Sequence, residues 1–390
     1  MASFLHRIPG LWKILLLIIL VHPVYGSIDS VFNVKQGSVQ VGGCNQYRGK
    51  LNRWWTDARR LVDAALLYLE DDSVDGPEYV YTFFALDPPP HDAKYRQTAR
   101  ETLEAVRSFI DGDTVPEGGK PWLFCSSKWV EELKWDDTAY DPETGEKYPD
   151  GDDKTKAPKV KDVFEPQGLA PGQDKSEGFP FWSSDLKQYL IDDESGDYCS
   201  KDFEDGTQHY GSTNDGTTPT TVTICAQNLQ GKKGKTQKDH IKLGIVRTEG
   251  SSIVNFRAQS MTLFHELFHV VLGVERTTEH DRSYDLDYIA NPRKEDAEQE
   301  GDDEKESGKD IISTEETLTN PESYTQYALS CMLGQKNKGY SFASTMSKRK
   351  TSEAVKGEAT DAGDRGDGEN AEGNEGSVTE EIKGASTSTI

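Results

Sequence analysis

The run Phe264-His265-Glu266-Leu267-Phe268-His269 carries the chemistry most directly readable from the chain. With 3.6 residues per turn, a helix here projects His265 and His269 from one face, one turn apart. Two imidazole nitrogens so spaced can reach one zinc ion at about 2.0–2.1 Å. Glu266 is rotated off that line, where a carboxylate acts on a metal-activated water instead of binding the metal. The chemistry expected of these residues is hydrolysis at a divalent metal, with His265 and His269 as ligands and Glu266 as general base. The competing reading is a core helix whose histidines are satisfied by hydrogen bonds.

The surroundings favour a helix. Met261, Phe264, Phe268, Val271 and Leu272 recur at helical spacing and form an apolar stripe beside the histidines. Gly273 is placed to stop the helix and Asn255 to cap its start. A catalytic zinc takes three protein ligands and keeps one position for water, so a third ligand is expected downstream. The metzincin spacing asks for Gly and then His or Asp where this chain has Leu272 and Glu275. Glu315 and Glu316 are available for a thermolysin-type glutamate, but no clear apolar helical pattern surrounds them. His280 offers a third imidazole.

The segment Thr277-Thr278-Glu279-His280-Asp281-Arg282-Ser283-Tyr284-Asp285 resembles the loop of the aspzincins, the deuterolysin and peptidyl-Lys metallopeptidase family. That loop reads Gly-Thr, two residues, a zinc-binding Asp, two residues, then Tyr-Gly. Thr278, Asp281 and Tyr284 fall in register. The resemblance implies that Asp281 is the third zinc ligand and that Tyr284 assists catalysis. Thr277 and Asp285 stand where the family has glycines, and losing a glycine can alter the backbone path. Asp285 also opens Asp285-Leu286-Asp287-Tyr288, a second acid ahead of a Tyr, and is the reserve ligand. The bland alternative for this stretch is a solvated acidic loop. Asn320-Pro321-Glu322-Ser323-Tyr324-Thr325-Gln326-Tyr327-Ala328 resembles a helix near the family's C-terminus, whose Asp and Glu bind the substrate lysine in lysine-specific members. Glu322 matches the first in charge, which implies a substrate contact, while Thr325 replaces the second. An acid in a helix's first turn is also favoured by the dipole alone. The resemblance spans about Thr220 to Ala328.

Residues 1–26 have Arg7 and Lys13, an apolar run from Ile14 to Val21, and then Val24-Tyr25-Gly26, the pattern of a cleaved secretory signal. The run falls short of the roughly 20 residues that span a bilayer. The formal charge of −24 opposes binding to nucleic acid or anionic membranes. Of the five cysteines, Cys44, Cys125, Cys199, Cys225 and Cys331, secretion predicts that some form disulfides and the odd count leaves at least one unpaired.

These residues need elements to position them. Trp54 to Leu69 and Thr98 to Ile110 read as amphipathic helices, with the aromatic and apolar Tyr79 to Leu86 between them. Pro121 to Val130 reads as a strand with mixed apolar character. Thr220 to Ala226 is a strand by its β-branched content, and is expected either as the sheet edge that pairs with substrate or as a core strand. Residues 136–179 and 294–309 lack periodicity and read as flexible insertions, and 335–390 as a disordered acidic tail. The expected fold is α+β: a zincin-like domain over residues 27–334, with a small sheet packed on the metal helix. The expected function is that of a secreted, monomeric, Zn²⁺-dependent endopeptidase acting on protein or peptide, with no nucleic-acid or membrane partner. The alternatives are a catalytically inactive secreted binding protein on a zincin scaffold and a closed structural zinc site.

Overall fold

The computed structural model describes residues 27–71, 75–88, 90–149, 157–164, 178–192, 196–200, 209–230, 238–241, 248–273, 276–277, 282–290, 292 and 312–350. Five helices of ten residues or more occur among them: α1 (Arg48–Glu70), α2 (Asp75–Phe84), α3 (Ala93–Asp111), α4 (Ser260–Leu272) and α5 (Pro321–Lys336). The strands are β1 (Asn33–Val34), β2 (Trp122–Phe124), β3 (Glu131–Glu132), β4 (Phe179–Ser183), β5 (Gln188–Asp192), β6 (Gly211–Asn214), β7 (Thr221–Ile224), β8 (Tyr340–Ser341) and β9 (Lys348–Arg349). The chain is α+β. Among the described residues no helix is long and apolar enough to cross a membrane.

A four-stranded sheet runs in the order β1-β2-β7-β6. Its first three strands are parallel, and β6 runs antiparallel to β7 at the edge. Of the stretch Thr220 to Ala226, Thr221–Ile224 forms a strand, but this β7 is internal, and the edge is the strand before it. Register then decides which residues face the helices, because cross-strand partners share a face. Val222 and Ile224 join the helical core, so their partners on β6, Thr213 and Gly211, are turned to the same side. On the opposite face Phe124 and Trp129 meet Phe181 and Leu190 of a second, antiparallel sheet, β3-β4-β5.

Helix α1 begins ahead of the expected start and buries Leu51, Trp54, Ala58, Leu61, Val62 and Ala65 against α3, α4 and α5. The aromatic segment after it is the end of α2, where Tyr79, Val80, Phe83 and Phe84 share one buried face. Ala85, at φ 51°, ends that helix before the prolines do. The stretch Pro121 to Val130 is half strand and half 3-10 turn, Ser127–Trp129. Disulfides join Cys44 to Cys125 and Cys199 to Cys225. Cys331 is the free one, and burial pushes its thiol well above the usual range.

Several expectations are corrected. The described part of 136–179 is packed: Val160 is buried with Leu133 and Trp182, and Tyr140 stacks on Trp182 at 4.9 Å. Loops, isolated bridges and one four-residue helix, Val160–Val163, contribute this packing, and they are too short to show a period. Residues 335–350 belong to the fold as well. Phe342 and Ala343 are fully buried, the Phe342 amide donates to the Tyr79 hydroxyl at 2.7 Å, and Lys350 pairs with Asp75. Asn255 does not cap α4; it lies in the 3-10 turn Ile253–Phe256, and Gln259 is the N-cap residue. The expected signal at 1–26, the insertion at 294–309 and residues 351–390 of the tail lie outside the described residues.

Gly334 on α5 is a point of close approach. A Cβ there would stand 2.2 Å from the Tyr79 hydroxyl and 2.9 Å from that of Tyr68. Both rings are held in the core, so Gly334→Ala is expected to destabilise the protein by about 1–3 kcal/mol, as overpacking does. Urea unfolding measures this, and an unchanged midpoint would show that the tyrosines can yield.

Candidate metal centre

Helix α4 is buried on almost every side: ten of its 13 residues are buried. Its apolar side chains pack against α1, α3 and α5 on one side and β6 and β7 on the other. Gly273 stops it as expected, at φ 80°, with its amide donating to the His269 carbonyl at 2.8 Å. The start is anchored from α1. Asp57, 3 % exposed, accepts from the Ser260 hydroxyl at 2.8 Å and the Ile241 amide at 2.9 Å.

His265 and His269 converge as their spacing demands. Their Nε2 atoms lie 3.4 Å apart. The opposite nitrogens are engaged: His265 Nδ1 is 3.2 Å from Glu322 Oε2, and His269 Nδ1 is 2.7 Å from Thr277 Oγ1. An ionised carboxylate can only accept, so a neutral His265 carries its proton on Nδ1, which leaves the Nε2 lone pair toward His269. Two nitrogens bound to one tetrahedral zinc at about 2.05 Å would sit about 3.3 Å apart. The observed separation therefore fits a shared ion. Imidazole nitrogens suit zinc, copper, iron or nickel.

Glu266, on the same turn, lies under the edge strand. Thr213 donates to its Oε2 at 2.8 Å. A Cβ on Gly211 would be 2.7 Å from its Oε1 and from Thr262 Cγ2, so the strand passes close over the carboxylate there. Burial pushes the Tyr198 phenol well above its ordinary range, with the Glu266 charge adding to the effect, so Tyr198 stays neutral on this side.

Tyr284, 50 % exposed, lays its ring on His265 at 5.5 Å and 23°. Glu322 is 8 % exposed, and its second oxygen accepts from Gln326 at 2.5 Å with Arg257 at 3.8 Å. Both oxygens of Glu322 thus have partners inside the protein, His265 on one and Gln326 with Arg257 on the other. Asp285 caps the short helix Leu286–Ile289 through the Asp287 amide and pairs with Arg282 at 3.0 Å. Glu316 closes a capping box with Ser313, and Glu315 bonds Tyr95. Thr278, Glu279, His280 and Asp281 lie outside the described residues. Among the described residues, no group of three His, Cys, Asp or Glu side chains is arranged to hold a metal.

No family model, curated protein or solved structure matches this chain. The site thus stands on its geometry alone. Gly211, Thr213 and Thr277 are parts of it that the sequence reading missed as contacts. The Gly-Ser-Thr-Asn of β6 has one β-branched residue and gives no strand signal. Thr277 showed itself only as a departure from a glycine.

Asp57 gives a test of the anchor. Burial raises its pKa, against the lowering effect of its hydrogen bonds to Ile241 and Ser260. The folded protein therefore holds this proton to higher pH than the unfolded chain does. Stability from this group is greatest in acid and falls as pH rises from about 4, the unfolded value, through the raised one. Asp57→Asn removes that slope. The wild-type unfolding free energy minus that of the variant should decrease over this interval in urea titrations, and a constant difference would contradict the raised pKa.

Proposed function

We propose that the chain is a secreted zinc-dependent endopeptidase. The observation carrying this reading is the pair of Nε2 atoms 3.4 Å apart, each ring tied down at its far nitrogen, with Glu266 on the same turn. His265 and His269 would hold the ion, with Asp281 as third ligand on the strength of the aspzincin resemblance. Zinc when bound lowers the pKa of water to about 7 and polarises a carbonyl.

The chain's own groups supply the rest. Glu266, aligned by Thr213, takes the proton of the attacking water and delivers it to the leaving amine. Tyr284, half exposed above His265, donates to the oxygen that gains charge at the scissile carbonyl. The edge strand β6 borders Glu266, which suits an extended peptide added as a further strand. Because Glu322 is engaged with the histidine, the reading carries no lysine preference. The two disulfides suit an oxidising compartment, which supports secretion.

The purified mature chain should cleave an unstructured protein and lose that activity to a chelator. Glu266→Gln should lower the rate by a factor of about 10²–10⁴ while zinc stays bound. Full activity in that variant would sink the mechanism. Stoichiometric zinc with no hydrolysis in the folded wild type would favour the binding protein instead.

A further inference from the structure

We propose that Thr277 is a positioning residue that makes His269 a metal ligand, by holding the ring in the tautomer whose Nε2 lone pair faces His265. The inference rests on the metal-centre reading and adds to it a residue outside the helix motif.

Thr277 is 7 % exposed and comes four residues after Gly273. Its Oγ1 lies 2.7 Å from His269 Nδ1 and 3.0 Å from the Gly273 carbonyl oxygen. A hydroxyl has one proton to give, and a carbonyl oxygen can only accept. Were the proton aimed at Nδ1, Oγ1 and the Gly273 oxygen would face each other at 3.0 Å with nothing between them. The proton therefore goes to Gly273, and Oγ1 accepts from Nδ1–H. A neutral imidazole carries one N–H, so Nε2 is left with its lone pair, 3.4 Å from its counterpart on His265.

The two rings are thus fixed by chemically different partners. Glu322 sets His265 with a charged acceptor, which raises the basicity of the ring toward a cation. Thr277 sets His269 with a neutral one, so orientation is its main contribution. The same hydroxyl is a second donor, beside the Arg276 amide at 3.2 Å, to the Gly273 carbonyl just past the end of α4. Ring tautomer and helix end share one hydrogen-bonded chain. A glycine, which the resembled motif has at this position, carries no hydroxyl, so this hold on His269 belongs to this chain.

The test is zinc affinity of the full mature chain, by competition with a chromophoric chelator, for wild type, Thr277→Val and Thr277→Ser. Circular dichroism and thermal unfolding establish that each variant is folded, and the visible spectrum of the Co²⁺-loaded forms reports ligand geometry. Thr277→Val is expected to weaken zinc binding by about 10–100-fold and to change the Co²⁺ spectrum. Thr277→Ser, which keeps the hydroxyl, should restore both. A folded Thr277→Val with wild-type affinity and spectrum overturns the proposal. So does a folded Thr277→Ser that loses as much as the valine variant. A folded wild type that binds no zinc at all overturns the metal-centre reading itself, an outcome distinct from either.

Discussion

Imidazoles and carboxylates taken out of water need partners, or each costs the fold kilocalories. Helix α4 takes two of the first and one of the second into the interior, and that constraint organises its neighbourhood. The partners come from three separate places: Glu322, 57 positions along the chain from His265; Thr277, eight from His269; and Thr213, 53 from Glu266. The apolar stripe fixes where the helix sits. The polar atoms fix which elements must arrive beside it, and in what register.

The start of α5 does two of these jobs at once. Asn320 caps the helix by accepting from the Glu322 amide at 2.9 Å, and its own amide donates to the Ser283 carbonyl at 3.4 Å. Ser283 precedes Tyr284, whose ring covers His265, while Glu322 grips the same histidine from its far nitrogen. A single helix cap therefore sets one ring face and the far nitrogen of one candidate ligand.

Helices α1, α3 and α4, the β7 strand and the convergence of His265 and His269 were legible because each depends on local pattern, helical spacing for the first and last and β-branched content for the strand. What escaped reading depends on contacts between distant segments. Asn255 lost the cap because a 3-10 turn intervenes before α4. Residues 335–350 are mostly polar, and their place in the fold depends on tertiary contacts, with Phe342 and Ala343 buried and Lys350 paired to Asp75. The edge strand is too short and too polar to announce itself; only its pairing with β7 makes it a strand. Glu322 was legible as a charge near the site, but which nitrogen it serves is a matter of tertiary packing.

The second disulfide has a topological consequence. Cys199 and Cys225 are 26 residues apart, and the loop they close contains all of β6 and β7. The strand that lies over Glu266 is therefore tethered covalently at a position before it and at one just past its partner. Closing a loop of this length restricts the unfolded chain by about 3.5 kcal/mol in the chain-entropy account. Reducing it would leave β6 attached to the sheet by a single four-residue ladder. The covalent tether thus holds the roof of the site to the sheet independently of that ladder.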